Sequence, residues 1–336
     1  MTKKSVGLGL AAILFSASGT VVAAESEQTQ RLKQLLEGIE SGQIDPKLRA
    51  AFVENRLTPK EGTIGAWIDY RHSELEDQRR DVGKTSDSDS YAVGIDYRIT
   101  ARTVIGISLL EQDTETRSDP SDGATRGYSV IDDDTRGIGL YGMHMLDSGV
   151  SIDAAITYLQ TDSDITDFST LAPPSQKSTD GSSVVLDIGA SAFYPLNDRL
   201  WASGRAAFSY IHGEQDSYQD EFDRRQDNQD YEVGTASINA NLNYAATDAI
   251  VPYAGINLGY DVFSDAGAPA LVRNPGGSIA TAVPFQDERN RLSYGFQLGI
   301  NWHVMDNLTM RAGYQRQQWG SDLFTDTVGA NLRYVF

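Results

Sequence analysis

Four histidines, His72, His144, His212 and His303, are the side chains of this sequence best placed to exchange a proton near neutral pH. His212 opens an acidic stretch containing Glu214, Asp216, Asp220, Glu221 and Asp223, and an imidazole among carboxylates can activate water as a general base. No matching catalytic partner accompanies it, so a solvated acidic loop with one histidine is the preferred reading. His303 alternates with Asn301 and Gln297, which raises a Ser/His/Asn hydrolase. Such an enzyme needs nucleophile and base in one constellation, and Ser293 stands several strand positions away. His303 therefore reads as interior packing. The run Asp132, Asp133, Asp134 offers hard oxygen ligands, yet it lacks the spacing and the glycine of a calcium loop and reads as solvated. With no cysteine in the chain, disulfides, thiolate zinc sites and cysteine nucleophiles are all excluded. No catalytic residue, metal or cofactor is expected.

A second group of polar residues shares a pattern rather than a motif. Arg98, Asp153, Asp187, Arg205, Asp261, Arg311 and Arg333, with the amides Gln297 and Asn301, fall on the polar side of stretches whose other side is apolar. Charges of both signs enclosed in one space tend to pair. An interior salt-bridge network that stiffens a wall is thus preferred over a constriction that selects solutes.

The elements that position these residues are strands. From Leu292 to Val304, apolar Leu292, Tyr294, Phe296, Leu298, Ile300, Trp302 and Val304 alternate with Ser293, Gly295, Gln297, Gly299, Asn301 and His303. That period of two sends alternate side chains to opposite faces of a strand. Twelve such segments are predicted, at 63–73, 90–99, 102–111, 136–146, 149–160, 183–195, 199–211, 232–245, 250–263, 292–304, around 308–316 and from 327 to the end. The register is ambiguous at Tyr141, Met143 and Met145, where either face could point outward. Connections alternate in length. Tight turns are expected at Thr100-Ala101, Asp147-Ser148, Asn197-Asp198, Thr247-Asp248 and Asp306-Asn307. Long polar loops are expected at 74–89, 112–135, 161–182, 212–231 and 264–290, with a shorter one near 317–322.

The chain of 336 residues is 40% hydrophobic, with a mean hydropathy of -0.36. Only the N-terminus approaches a helical span, and its apolar run from Val6 to Phe15 is shorter than the roughly 20 residues a span requires. Lys3 and Lys4, that run, and Val22-Ala23-Ala24 form a secretion signal over 1–24, cleaved after Ala24. Residues 25–61 form a short helical segment, with Leu32, Leu35, Leu36 and Ile39 at helical spacing and a second pattern from Lys47 to Leu57. A net charge of -19 argues against a nucleic-acid partner.

A soluble β-sandwich also alternates, but its water-facing side carries many charges. Here the second face is rich in Gly, Ser, Asn, Thr and Ala, as expected of a crowded lumen. Aromatics gather near strand ends on the apolar face, at Tyr97, Tyr194, Tyr210, Tyr244, Tyr260, Trp302, Tyr314 and Tyr334, as in interfacial girdles. Hydrocarbon cannot satisfy an unpaired amide, so a spanning sheet must close on itself. The fold class is all-β: a transmembrane antiparallel β-barrel of about 12 strands over 62–336. It is exported to the outer membrane, with long loops extracellular and both barrel ends periplasmic.

The stretches Asn307-Leu308-Thr309-Met310-Arg311-Ala312-Gly313-Tyr314-Gln315 and Val328-Gly329-Ala330-Asn331-Leu332-Arg333-Tyr334-Val335-Phe336 resemble the last two strands of autotransporter β-domains. The likeness covers about 63–336. It implies that the barrel-assembly machinery reads Ala330, Leu332, Tyr334 and Phe336, and that the segment from Gln30 to Leu57 corresponds to the helix that in this family precedes the first strand and sits in the pore. The chain departs from the family pattern in having only about 38 residues between the expected cleavage and the first strand, too few for a passenger domain. Three functions follow. The first is a non-enzymatic, partly plugged outer-membrane channel or surface-exposed structural protein. The second is an adhesin using its acidic loops, and the third a barrel-embedded hydrolase. The expected partners are outer-membrane lipids, lipopolysaccharide (reached by the acidic loop residues through divalent ions) and the barrel-assembly machinery.

Overall fold

The computed structural model describes residues 61–336 apart from 78–81, 121–126, 147–149, 170–173, 220–224, 227, 266–269, 274–278 and 284–290. The expected signal at 1–24 and the helical pattern between Gln30 and Leu57 lie outside the described residues. The described residues form β1 (Ile64–Asp77), β2 (Val82–Thr100), β3 (Thr103–Pro120), β4 (Gly127–Met145), β5 (Ser151–Ser169), β6 (Ser175–Asn197), β7 (Leu200–Gln215), β8 (Tyr218–Gln219), β9 (Arg225–Gln226), β10 (Gln229–Tyr244), β11 (Ile250–Asp265), β12 (Ala270–Arg273), β13 (Ile279–Val283), β14 (Leu292–Met305), β15 (Leu308–Trp319) and β16 (Leu323–Val335). Twelve close a barrel in the order β1-β16-β15-β14-β11-β10-β7-β6-β5-β4-β3-β2. The four short strands form a separate sheet, β13-β12-β9-β8.

The barrel closes where β1 pairs antiparallel with β16, from Gly65 opposite Val335 to Asp77 opposite Leu323. No sheet edge of the barrel is left open, as a spanning sheet requires. Side chains alternate as the sequence predicts. Ile95, Leu109, Leu140, Ile188, Ile238, Ile256 and Val328 point outward and are exposed, while their neighbours in sequence are turned into the barrel. Aromatics bound this outer apolar band on both sides. Tyr97, Tyr194, Tyr244, Trp302, Tyr334 and Phe336 mark one limit; Tyr70, Tyr91, Tyr158, Tyr260 and Tyr294 mark the other. On β14, Tyr294 and Trp302 lie roughly 27 Å apart along the strand. A tilt of about 40° reduces this to roughly 20 Å of height, close to the ~25 Å apolar band of outer-membrane barrels.

One end of the barrel carries short turns, stabilised by local side-chain acceptors. Asn197 Oδ1 accepts the backbone N–H of Arg199 and of Leu200, both at 2.9 Å. Thr247 Oγ1 accepts from Ala249 and Ile250 at 3.2 and 3.0 Å, and Thr100 Oγ1 from Arg102 at 3.1 Å. Each side chain mimics a backbone turn and keeps the connection short, two residues after Asn197 and after Thr100 and five between Tyr244 and Ile250. The turn expected at Asp147-Ser148 falls on residues outside those described. At the opposite end the β15–β16 link is short and turns through Gly320 at φ 65°, a left-handed conformation that favours glycine.

The long-loop expectation needs correction. Most of 74–89, 112–135 and 161–182 is strand, so the wall continues well beyond the outer apolar band, while 212–231 adds only 212–215 and 229–231 to it. Its inner face there carries Lys84, Ser86, Ser88, Thr114, Thr116, Ser129, Ile131, Asp133, Ser163, Ile165, Lys177 and Thr179, all buried. Its outer face carries Glu74, Asp87, Glu111, Asp113, Glu115, Asp132, Asp134, Asp162, Asp164 and Asp180, all exposed. With polar residues on both faces, the apolar alternation disappears although the hydrogen-bonded ladder continues. Hydroxyl pairs such as Thr116 to Ser86 at 2.9 Å and Thr114 to Ser88 at 3.0 Å bind adjacent strands inside this extension.

Candidate functional site in the barrel lumen

The inner wall mixes apolar and charged side chains. Trp67, Ala92, Val104, Tyr141, Met143, Met145 and Ala155 form one buried cluster in the half nearer the short turns. The ambiguous register at Tyr141, Met143 and Met145 is thereby resolved: all three face inward, and Ile138 and Leu140 face outward. Large inner side chains fit because the neighbouring strand supplies glycine. A Cβ on Gly94 would collide with the Trp67 indole, and one on Gly106 with the Tyr141 ring.

Charged groups lie level with this cluster and are paired. Trp67 Nε1 donates to Tyr141 Oη at 2.8 Å, and Tyr141 Oη donates to Asp96 Oδ2 at 3.4 Å. Arg333 grips the same carboxylate with two nitrogens, each at 2.7 Å. Beside it, Arg71 Nε donates to Asp69 Oδ1 at 2.8 Å, and Asn331 Nδ2 donates to Asp69 Oδ2 at 3.2 Å. Farther round the wall, Arg205 bridges two carboxylates, bonding Asp153 Oδ2 at 2.5 Å and also Asp187 Oδ1. Ser209 Oγ donates to the second Asp187 oxygen at 2.6 Å. The guanidinium lies against Gly189, where a Cβ would displace it.

The remaining predicted lumen residues belong to the same inner face. Arg311 Nε donates to Tyr253 Oη at 2.8 Å, with its guanidinium 4.4 Å from that ring's centre. Asp261 accepts from Thr235 Oγ1 at 2.8 Å. Gln297 Nε2 reaches Asn241 Oδ1 at 2.5 Å and Asn239 Oδ1 at 3.2 Å. Arg98 turns towards the short-turn end and donates to the Ala101 carbonyl at 2.5 Å. Asn301 is half-buried on β14, opposite Val251 and Arg311. Sequence reasoning missed Asp69, Arg71 and Asp96, although alternation would have placed them: Asp96 lies between the outward Ile95 and Tyr97. Ala330, Leu332, Tyr334 and Phe336 all face outward.

The histidines are dispersed. His72 and His212 lie on the outer wall beyond the apolar band, each beside carboxylates. His144 Nδ1 bonds Thr103 Oγ1 at 3.0 Å. His303 and Ser293 share the face of β14 that alternates with its apolar residues, roughly 33 Å apart along the strand; this chain does not bring them together. In the extension, burial pushes the Asp133 carboxyl up to about 7, against the hydrogen bond from Ser163 and the charge of Lys84.

Comparison with known proteins gives a consistent picture. The autotransporter beta-domain family model matches residues 66–315. The serine protease Pet autotransporter of Escherichia coli O44:H18 (strain 042 / EAEC) is 22% identical over 237 residues, covering 69% of this chain and 17% of that protein. The chain therefore spans less than a fifth of that relative's length. Among solved structures, the translocator domain of autotransporter NalP from Neisseria meningitidis superimposes with a TM-score of 0.64 at 13% identity, covering 94% of this chain and 97% of that one. An outer membrane channel from Pseudomonas putida F1 gives a TM-score of 0.50 at 13% identity, over 84% of this chain and 98% of that one. At such identities the structural likenesses establish the fold alone.

Proposed function

The chain belongs to the autotransporter β-domain family of Gram-negative outer-membrane barrels, and from that premise we propose that it acts as an outer-membrane channel whose lumen is held partly shut by its own side chains and by residues 25–60. In this reading the long-loop end faces outward and both barrel ends lie in the periplasm, the usual arrangement of barrels with short and long connections. The observation that carries the proposal is the lumen's charge pairing. Arg205 with Asp153 and Asp187, and Arg333 with Asp96, cross-link strands of the inner wall, and Arg71 pairs with Asp69 along β1. Paired charges narrow the passage and leave little net field with which to select an ion. The buried apolar cluster of Trp67, Val104, Tyr141, Met143 and Met145 gives the lumen a surface suited to an apolar occupant. Planar-bilayer recording of the full chain and of a chain lacking residues 25–60 tests this. A conductance that rises on deletion supports the plugged channel; equal, negligible conductance in both overturns it.

A second reading is favoured by the loop end. There β8, β9, β12 and β13 pair into their own small sheet, and the wall below presents rows of exposed carboxylates. A surface interaction protein would use this face, and binding lost on deletion of 266–291, without any conductance, would select it.

A further inference from the structure

The outer wall carries one short pattern twice. Tyr, His and Glu occupy alternate positions at Tyr70, His72 and Glu74 on β1, and again at Tyr210, His212 and Glu214 on β7. In the closed order, β1 and β7 are six strands apart whichever way the barrel is traversed, so the two units stand on opposite sides. The geometry repeats with the pattern. His72 Nδ1 lies 3.2 Å from Asp89 Oδ1, and its Nε2 lies 3.5 Å from Glu74 Oε1. His212 Nδ1 lies 3.3 Å from Glu232 Oε1, and its Nε2 lies 3.7 Å from Glu214 Oε1. In the β1 unit the carboxylate from the neighbouring strand also receives the tyrosine: Tyr70 Oη donates to Asp89 at 2.7 Å.

The β1 unit converges further. Glu74 stands directly opposite Asp87 in the β1–β2 ladder, and one ligand atom from each of His72, Glu74 and Asp87 falls within 4.8 Å of the others. We propose that His72, Glu74 and Asp87 form a divalent transition-metal site of the zinc type on the outer wall; in the β7 unit the two carboxylates lie against opposite nitrogens of His212 and do not converge in this way. The ligand chemistry favours zinc over calcium or magnesium, because an imidazole nitrogen adds much to the binding of Zn²⁺ and little to that of oxygen-seeking cations. Three protein ligands on two hydrogen-bonded strands are held near one another by the ladder itself, and a fourth position stays open to water or to an anionic ligand. Neighbouring carboxylates, Asp89, Asp113, Glu115 and Asp134 among them, concentrate cations at this part of the wall. The site is on the exterior, so it is independent of whether the lumen conducts.

The test is calorimetric titration of zinc chloride into the metal-free full chain, folded in detergent micelles. Alongside it run His72→Ala, the double variant Glu74→Gln with Asp87→Asn, His212→Ala, and Asp164→Asn, a carboxylate on the same wall outside the site. Saturable binding is expected, weakened roughly tenfold or more by His72→Ala and by the double variant. His212→Ala and Asp164→Asn should leave it in place. Heat-modifiable electrophoretic mobility reports that each variant remains a folded barrel. Absence of saturable zinc binding, binding unchanged in His72→Ala, or an equal loss in Asp164→Asn would each overturn the proposal and mark the wall as a diffuse counterion layer.

Discussion

Replacing Arg205 with methionine would leave Asp153 and Asp187 facing one another without the cation that joins them. Both carboxylates bind the same guanidinium nitrogen, and all three side chains are nearly inaccessible, at 4%, 1% and 2% of their side-chain surface. Two carboxylates held by one nitrogen are roughly 5 Å apart, where like charges repel by about 3 kcal/mol at an effective dielectric constant of 20. Breaking a buried ion pair from one side costs about 3–5 kcal/mol, so Arg205→Met should destabilise the barrel by about that amount. Adding Asp153→Asn and Asp187→Asn removes the uncompensated charge and should restore stability to within about 1–2 kcal/mol of the parent. Urea unfolding in phospholipid vesicles, followed by the fluorescence of the four tryptophans, measures both steps. A loss below about 1 kcal/mol for the single variant, or a triple variant as unstable as the single one, would show that the triad does not brace the wall. Altered ion selectivity in the triple variant would assign it to permeation instead.

Burial raises the Asp133 carboxyl to about 7, so the folded state retains a proton that the unfolded chain releases near pH 4. The stability this neutral group preserves is complete below about pH 4 and is lost progressively up to about pH 7. Asp133→Asn should therefore raise the urea midpoint at pH 8 and change it little at pH 4. Gly94→Ala forces the Trp67 indole off the β2 backbone and should cost about 1–3 kcal/mol, with a shift in tryptophan emission. Zinc binding at His72 competes with protonation. Burial lowers the pKa of His72, but its hydrogen bonds to Asp89 and Glu74 outweigh this and raise it, with Asp87 on β2 and Asp326 on β16 beside them in the ladder. Affinity should fall as pH drops from 8 to 6. Removing Phe336 should deplete the barrel from outer-membrane fractions of cells while changing the urea midpoint of refolded protein by less than about 1 kcal/mol, since its side chain is exposed.

Lipid contact made the barrel readable. Where the outer face meets hydrocarbon, as along Leu292 to Val304, the apolar period of two is obligatory, and the twelve strands could be located from it. Above the band both faces are polar, and Asp132-Asp133-Asp134 looked like a loop because nothing distinguishes its inward residue from its outward ones by type. The ladder turns Asp133 in and its neighbours out. Tyr141, Met143 and Met145 were ambiguous for the opposite reason: this part of the lumen is itself apolar, so inner and outer residues look alike. The charge partners were legible only as members of a face, since which carboxylate meets Arg205 depends on cross-strand register.

The seam between β1 and β16 joins the two ends of the barrel sequence, and the Phe336 amide still donates to the Ile64 carbonyl at 2.9 Å. The sheet therefore cannot become a cylinder until β16 is available to pair with β1. Until that moment the polypeptide carries two raw edges and a greasy surface, the circumstances that favour mispairing and precipitation.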